Sequence, residues 1–434
     1  MVRFSLVIWM ILLLGFPGLV LADDDSDSDS DSDCAEAGAE IESGENDELR
    51  DFAEECVRLN QVQVLGTHNS YHVEPAPSLD FVFQNSPPPG PTLSLVWDYS
   101  RDPLDVQLGE QGIRQVEIDV FLDPNGGLYA NPVGNLLVPA FGLPLDPDAD
   151  PDGKRLEPGF QVLHVQDLDF RATCLKLEDC LRTIQEWSWS RPHHLPIMVL
   201  LELKDDAIPN SPGLPPFVVP PAYSAADLDD LDSLILSIFS PRQLITPDDV
   251  RDDRETLEEA VLEDGWPVLE EARGRVMFAL DNGGTIRNLY LDGHFSLVDR
   301  VMFVDSVPGQ PEAAFMKRND PVGSFIEISD LVARGYLVRT RADSDTLEAR
   351  FGATARRDLA LQSGAQFIST DYPTPDLDFG TGYFVEIPNG APGRCNPVNS
   401  PAGCRSEALE APKSSDDEED ECDDDEESEC DEYD

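Results

Sequence analysis

The sequence predicts an α/β fold of the TIM type, a (β/α)8 barrel with long loop insertions and disordered acidic termini. Eight short apolar runs of strand length recur along the chain, and helix-like segments separate them. Most of the runs are apolar without alternation, as expected for strands that are buried on both faces of a parallel sheet. Several runs end in a histidine or an acidic residue, and a parallel barrel collects such residues at one rim.

The predicted strands span residues 62–66, 115–122, 160–165, 197–203, 275–280, 300–304, 336–341 and 365–370. The predicted helices span residues 173–189, 224–239, 257–272, 324–334 and 350–363. An open doubly wound sheet is the main alternative, but the chain has no Gly-x-Gly-x-x-Gly turn to support dinucleotide binding. Two long linkers, 123–159 and 205–223, follow predicted strands, where barrel loops commonly shape an active site.

The charge of the chain is strongly acidic. Its 434 residues include 86 Asp and Glu against 30 Lys and Arg, a formal net charge of −56. Such a balance repels polyanions, so it predicts no nucleic-acid partner and at most transient contact with a membrane surface. The length suits one large domain, and we expect a soluble monomer.

Composition divides the chain into four parts. Residues 1–22 are typical of a signal peptide, with Arg3, an apolar stretch and a small-residue cleavage site at Ala22, so we expect a secreted protein, extracellular or periplasmic. Residues 23–47 form an acidic leader rich in Asp and Ser, and residues 405–434 form an acidic tail; both are predicted to be disordered. The barrel is assigned to residues 48–404.

Eight cysteines are available to form disulfides in an exported protein. Their spacing favours Cys174–Cys180 and Cys395–Cys404, with Cys34–Cys56 as a further pair. None has the C-x-x-C spacing typical of a zinc site.

Glu117 and Asp119 lie two apart on a predicted strand, so their side chains point the same way. Two buried carboxylates this close are costly unless a cation lies between them. Their hard oxygen ligands favour Ca²⁺, with Mg²⁺ as the less favoured ion. The alternative is a strand whose polar residues face solvent.

Glu202 and Lys204 repeat this spacing at the end of the predicted strand 197–203. One interpretation is a plain ion pair. The other places Glu202 in the same metal shell and lets Lys204 bind a phosphate. Arg339 and Arg341 also share a face, and either a phosphate clamp or salt bridges to nearby acids would explain them.

His68 and His164 each lie near the end of a predicted strand. A single histidine in such a place is commonly a hydrogen-bonded core residue. Two of them beside carboxylates on neighbouring strands indicate acid/base catalysis. His72 is assigned to the loop that follows His68.

These residues together resemble the bacterial calcium-dependent phosphoinositide phospholipase C-like family, within the phosphatidylinositol phosphodiesterase barrel superfamily. The resemblance covers about residues 59–372 and rests on Gly66-Thr67-His68-Asn69-Ser70-Tyr71, Glu117-x-Asp119, His164, Glu202-x-Lys204 and Arg339-Thr340-Arg341-Ala342-Asp343. It implies a TIM-type barrel whose catalytic histidines are His68 and His164. It also implies a calcium site, with ligands Asn69, Glu117, Asp119 and Glu202.

The resulting hypothesis is a secreted phosphodiesterase that cleaves a phospholipid or glycerophosphodiester, with Lys204 and Arg341 orienting the phosphate. One alternative is a glycerophosphodiester phosphodiesterase, which the segment Ser369-Thr370-Asp371-Tyr372-Pro373 also resembles. That family usually opens with His-Arg-Gly, whereas this chain has His68-Asn69-Ser70. A second alternative is a secreted barrel that holds calcium without catalysis.

Overall fold

The computed structural model describes residues 46–210 and 213–410, together with Cys34, Ala37 and Gly38. The predicted signal peptide, most of the predicted leader and residues 411–434 of the predicted tail lie outside the described residues. No helix within the described ranges is both long enough and apolar enough to cross a membrane.

The described residues contain eleven strands, all in one sheet. They are β1 (Val62–Thr67), β2 (Gln115–Asp123), β3 (Gly159–Val162), β4 (Ile197–Lys204), β5 (Leu244–Ile245), β6 (Val276–Leu280), β7 (Met302–Val304), β8 (Phe315–Lys317), β9 (Leu337–Arg341), β10 (Phe367–Thr370) and β11 (Gly393–Cys395).

Eight of these described strands are parallel and form a ring in the order β1, β2, β4, β6, β7, β8, β9 and β10. A parallel bridge between Asp305 and Phe315 joins the end of β7 to β8 and closes the ring. The predicted α/β barrel of the TIM type is confirmed, and its carboxyl-terminal rim carries the residues that end each strand.

Helices flank the ring and fill its longer connections. Within the described ranges they are Asn46–Cys56, Pro77–Gln84, Gly90–Val96, Leu104–Gly109, Gly134–Ala140, Leu177–Trp189, Ala225–Ile238, Pro247–Arg251, Leu257–Glu263, Leu269–Ala272, Gly284–Leu291, Phe325–Ala333, Leu347–Phe351 and Ala355–Gln362. Two predicted helices, 257–272 and 350–363, are each split in two by a glycine with a left-handed backbone, Gly265 at φ 84° and Gly352 at φ 63°.

The helix Ala225–Ile238 illustrates how the sequence specifies these elements. The Ser224 hydroxyl accepts from the backbone N–H of Asp227, and the Asp227 carboxylate accepts from the Ser224 backbone at 2.8 Å. This reciprocal cap starts the helix. Leu228, Leu231 and Ile235 then fall on one face and are buried against the barrel.

One predicted barrel strand is wrong. The run 160–165 contributes β3, which pairs antiparallel with the end of β2 and lies outside the parallel ring. β2 is nine residues long, and β3 covers its last four residues, where no parallel neighbour other than β4 is paired among the described residues. The missing barrel strand is β8, whose three residues are too short for their apolar character to stand out.

The packed part of the chain is longer than the segment 48–404. The helix Asn46–Cys56 begins two residues earlier, and the Cys34–Cys56 disulfide ties part of the predicted leader to it. At the other end Leu409 is fully buried and Glu410 accepts a hydrogen bond from the Leu195 backbone at 2.7 Å. Residues 405–410, predicted as tail, therefore pack on the barrel.

The predicted disulfides are present in the structure. Cys34–Cys56, Cys174–Cys180 and Cys395–Cys404 have Cα separations of 5.5, 5.5 and 6.0 Å. The remaining cysteines, Cys422 and Cys430, lie outside the described residues.

Gly66 allows β1 and β2 to approach closely just before the carboxyl-terminal rim. A Cβ atom at Gly66 would lie 2.1 Å from Oε1 and 2.9 Å from Cβ of Gln115, a fully buried side chain on β2. We expect Gly66→Ala to lower the free energy of unfolding by about 1–3 kcal/mol, because the added methyl overpacks the barrel. Denaturant unfolding measures the change. Gly283→Ala is the control, since its Cβ would meet no atom within 4 Å, and equal stability of the two variants would contradict the argument.

Candidate active site and cation site

The neighbouring strands β2 and β4 bring together the acidic residues that the sequence placed in one metal shell. Oxygen atoms of Glu117, Asp119 and Glu202 lie within 4.8 Å of one another. Glu117 and Asp119 are buried, and Glu202 is half-buried at the rim. This grouping follows from register, because Asp119 on β2 lies directly opposite Glu202 on β4.

Asp119 is the least satisfied of the three carboxylates. Its side chain is fully buried, and neither oxygen has a hydrogen-bond partner among the described residues. The Lys204 ammonium lies 3.2 Å from Oδ2, close enough for charge attraction but without hydrogen-bond geometry. Burial raises the pKa of Asp119 to about 7, against the opposing effect of Lys204. A cation between the strands would satisfy these open oxygen atoms.

Glu117 is held by an ion pair with Arg339, whose Nη2 donates to its Oε2. Burial raises the pKa of Glu117 to about 7, although Arg339 acts to lower it. Arg339 is 1% exposed and also donates to Ser369 Oγ at 3.0 Å. Of the two interpretations of Arg339, the structure therefore supports the salt bridge.

Lys204 joins the carboxylates of β2 and β4. Its Nζ lies 2.7 Å from Oε1 of Glu202, and about a quarter of the lysine side chain is exposed. Burial alone would raise the pKa of Glu202, but the charge of Lys204 outweighs it and the pKa is lowered. The structure thus contains the ion pair, and phosphate binding by Lys204 stays a prediction.

Asn69 lies two residues beyond the end of β1 and is 1% exposed. Its backbone is left-handed at φ 43°, a conformation that asparagine tolerates better than most residues. Its amide nitrogen donates to the Tyr99 hydroxyl at 2.8 Å, so its amide oxygen is the atom left for a cation. Amide and carboxylate oxygens with an orphaned buried carboxylate fit a hard divalent ion such as Ca²⁺.

His68 is paired with a buried carboxylate. Its Nδ1 lies 2.8 Å from Oδ1 of Asp371, and its Nε2 lies 3.4 Å from Nη1 of Arg341. A carboxylate only accepts, so His68 carries hydrogen on Nδ1 and presents the lone pair of Nε2. Burial and the charge of Arg341 lower the pKa of His68 well below its usual value. The ring is therefore neutral near pH 7 and suited to accept a proton.

Asp371 is surrounded by cationic groups. It accepts from Arg101 Nη2 at 2.7 Å and from Arg341 Nη2 at 2.8 Å. Burial alone would raise the pKa of Asp371, but the charges of His68 and Arg341 hold it well below its usual range. Arg341 thus bridges His68 and Asp371, and its predicted contact with a substrate phosphate stays a prediction.

His164 has an equivalent carboxylate partner, Asp169. Its Nδ1 lies 2.7 Å from Oδ2 of Asp169, and about a fifth of its side chain is exposed. The same oxygen lies 2.8 Å from Nε2 of His72, which is fully buried and stacks on Tyr99 with ring centroids 4.2 Å apart. The sequence assigned His72 to the loop after His68. The structure does place it between β1 and β2, but as a buried residue with hydrogen bonds to both ring nitrogens.

Electrostatic effects connect His164 directly, and His68 through Arg339, to the carboxylate cluster. The charge of His164 acts on the pKa of both Asp119 and Glu202, and the charge of Arg339, the partner of Glu117, acts on His68. The structure thus assembles the sequence-predicted histidines, carboxylates, Lys204, Arg341 and Asn69 at one rim.

Sequence reasoning assigned no role to several residues of this rim. Asp371 directly follows the predicted strand 365–370, so the strand-end pattern that found Glu202 also applies to it. Asp281 follows β6 in the same way and pairs with Lys317, which lies in the undetected β8. Arg101 and Asp169 lie in connecting segments, and no local pattern marks them.

Residues 57–397 match the family described as phosphoinositide phospholipase C, Ca²⁺-dependent. The fold is similar to that of a calcium-dependent phosphoinositol-specific phospholipase C from Pseudomonas sp., with a TM-score of 0.47, 15% identity and coverage of 79% of this chain and 96% of that chain. A calcium-dependent phosphatidylinositol-specific phospholipase C from Streptomyces antibioticus gives a TM-score of 0.44 and 16% identity, with coverage of 73% of this chain and 96% of that chain. A glycerophosphoryl diester phosphodiesterase from Parabacteroides distasonis gives a TM-score of 0.27 and 13% identity, with coverage of 76% of this chain and 89% of that chain. None of the curated proteins matches the chain.

The buried carboxylates predict how stability responds to pH and cations. With a pKa of about 7 in the folded protein and about 3.9 in an unfolded chain, Asp119 lowers stability progressively as pH rises from about 4 to about 7, and the loss is complete above pH 7. In chelator at pH 8, we expect Asp119→Asn to melt higher than the wild type by on the order of 2–5 °C, and at pH 5 the difference should shrink. Calcium should stabilise the wild type more than the variant.

Thermal unfolding with calcium or chelator measures both effects. Asp378→Asn, which changes an exposed carboxylate, is the control and should respond to calcium as the wild type does. If calcium stabilises Asp119→Asn as strongly as the wild type, Asp119 is not a ligand.

Proposed function

The chain belongs to the Ca²⁺-dependent phosphoinositide phospholipase C family, and on this premise we propose that it is a secreted calcium-dependent phosphodiesterase that cleaves a phosphoinositide-type lipid by histidine acid/base catalysis. The observation that carries the proposal is the pairing of two imidazoles with buried aspartates beside a buried carboxylate cluster. This arrangement offers two proton carriers and one cation site at a single rim.

His68 acts as the general base. With hydrogen held on Nδ1 by Asp371, its Nε2 removes the proton from a substrate hydroxyl next to the phosphodiester. The lowered pKa of His68 supports this role, because the ring is unprotonated at neutral pH. The freed oxygen then attacks the phosphorus.

His164 acts as the general acid. Its Nδ1 hydrogen faces Asp169, so Nε2 is the atom that delivers a proton to the leaving oxygen. For phosphatidylinositol, the ring oxygen forms the new P–O bond and the bond to the glycerol oxygen breaks. The products are a cyclic inositol phosphate and diacylglycerol.

Asn69, Glu117, Asp119 and Glu202 would hold the calcium ion. When bound, calcium would supply positive charge beside the phosphate. Lys204 and Arg341, both at the rim, orient the phosphate oxygens. Mg²⁺ is less favoured, because it demands a near-ideal octahedral shell of ligands.

The substrate is a phospholipid or a glycerophosphodiester. The protein acts as a monomer, binds no nucleic acid and makes at most transient contact with a membrane surface. Net charge supports the last point, since a strongly acidic chain is repelled by anionic lipid. Three disulfides support an exported protein, because such bonds persist in oxidising compartments.

Substitution of His68 tests the base. We expect His68→Ala to reduce kcat by about 10²–10⁴-fold, the usual contribution of a positioned acid or base. The fold and the calcium-dependent rise in melting temperature should be retained, because His68 is not one of the proposed ligands. His193→Ala changes an exposed histidine before β4 and is the matched control.

Turnover is measured on a panel of phosphodiesters with and without chelator. Release of a cyclic inositol phosphate supports the proposal, whereas glycerol 3-phosphate would indicate a glycerophosphodiesterase. Wild-type rates in His68→Ala would reject the assigned base, and calcium binding without hydrolysis of any phosphodiester would indicate a non-catalytic barrel.

A further inference from the structure

We propose that His72 is a positioning residue that acts through Asp169 to set the tautomer and orientation of His164. The inference rests on the proposed function in one respect, namely that His164 exchanges a proton with substrate. The structural basis is that His72 and His164 bond the same carboxylate oxygen of Asp169, and this can be tested without measuring turnover.

The hydrogen-bond partners of His72 determine where its hydrogens lie. Nδ1 is 2.9 Å from the backbone carbonyl of Tyr99, and a carbonyl can only accept. Nε2 is 2.8 Å from Oδ2 of Asp169, and an ionised carboxylate can also only accept. Both ring nitrogens of His72 must therefore donate, so the ring is a cation held against Asp169.

The charge state of Asp169 agrees with this assignment. Burial alone would raise its pKa, but the charge of His72 and the hydrogen bond from His164 lower the pKa of Asp169 to about 2. The carboxylate is thus ionised, and the hydrogen that it needs on the His72 side comes from the imidazole. Both side chains are fully buried, so the pair keeps its geometry away from solvent.

The remaining bond of Asp169 Oδ2 goes to His164. Since the oxygen accepts, the hydrogen of His164 lies on Nδ1, and Nε2 is left for chemistry. The two rings stand almost perpendicular, at 88° with centroids 5.4 Å apart, so both ring edges reach one oxygen. Among the described residues, His72 is the one side-chain partner of the Asp169 carboxylate other than His164, because Oδ1 has no hydrogen-bond partner.

The His68 side of the site is built on the same plan. There the buried Asp371 bonds Nδ1 of His68, and Arg101 and Arg341 donate to the Asp371 carboxylate and neutralise its charge. On the His164 side no arginine bonds Asp169 among the described contacts, and His72 takes that place. The Tyr99 ring stacks on His72 with centroids 4.2 Å apart and fixes the plane of the imidazole. On the other side, hydrogen bonds from two arginines fix the Asp371 carboxylate.

The test uses the full-length protein with ¹⁵N-labelled histidine. The chain has six histidines, so each ring resonance can be assigned by single substitution. In the wild type we expect hydrogen on both nitrogens of His72 and, once His164 has given up its Nε2 proton at alkaline pH, on Nδ1 alone of His164. In His72→Phe, which keeps a ring on Tyr99 but has no donors, the signal of His164 should shift toward a mixture of tautomers.

Activity gives a second readout. We expect His72→Phe to lower kcat by roughly 10–100-fold with KM changed less than about twofold, as for other residues that orient an active group. His72→Gln keeps a donor toward Asp169 and should recover part of the loss. His194→Phe is the matched control: His194 is equally buried and bonded to Ser188 and Leu195, but it precedes β4 at the opposite end of the barrel.

The outcomes separate this inference from the proposed function. An unchanged His164 signal in folded His72→Phe, or a single ring hydrogen on His72 in the wild type, would overturn it. The wild-type spectrum decides even if His72→Phe does not fold. If the wild type cleaves no phosphodiester but the spectra are as expected, the proposed function fails and the positioning role stands.

Discussion

Burial of acidic side chains on β2, beside Glu202 of β4, is the constraint on which the site depends. Asp119 has no hydrogen bond to either oxygen among the described residues, and the pKa values of Asp119 and Glu117 are both raised to about 7 by burial. Such an arrangement is unfavourable for the fold alone. A cation bound by the cluster would offset this unfavourable burial, because its charge would neutralise the carboxylates.

The same low-dielectric setting governs the histidines. His68 and His164 each have a buried aspartate on Nδ1, and each aspartate has a further buried partner, Arg101 for Asp371 and His72 for Asp169. An unmatched carboxylate would hold a proton on the imidazole and remove its ability to act as a base. Pairing each aspartate with its own cation keeps the rings oriented while leaving their Nε2 atoms free to exchange protons.

The barrel explains why these groups meet. Parallel strands deliver their last residues to one rim, and register sets Asp119 opposite Glu202. The long connections supply what the strands cannot, since Tyr99 and Asp169 lie between strands and bond Asn69 and the two histidines His72 and His164.

The sequence alone determined the barrel and most of the rim, because apolar runs that end in polar residues are a local pattern. His68, Glu117, Asp119 and Glu202 follow from it, and Asp371 obeys the same rule. Only the tertiary structure decided the strand set, since β8 is three residues long and the apolar run 160–165 pairs antiparallel as β3. It also decided the partners of the histidines, because hydrogen bonds such as that between His72 and Asp169, 97 residues apart, leave no periodic trace in the chain.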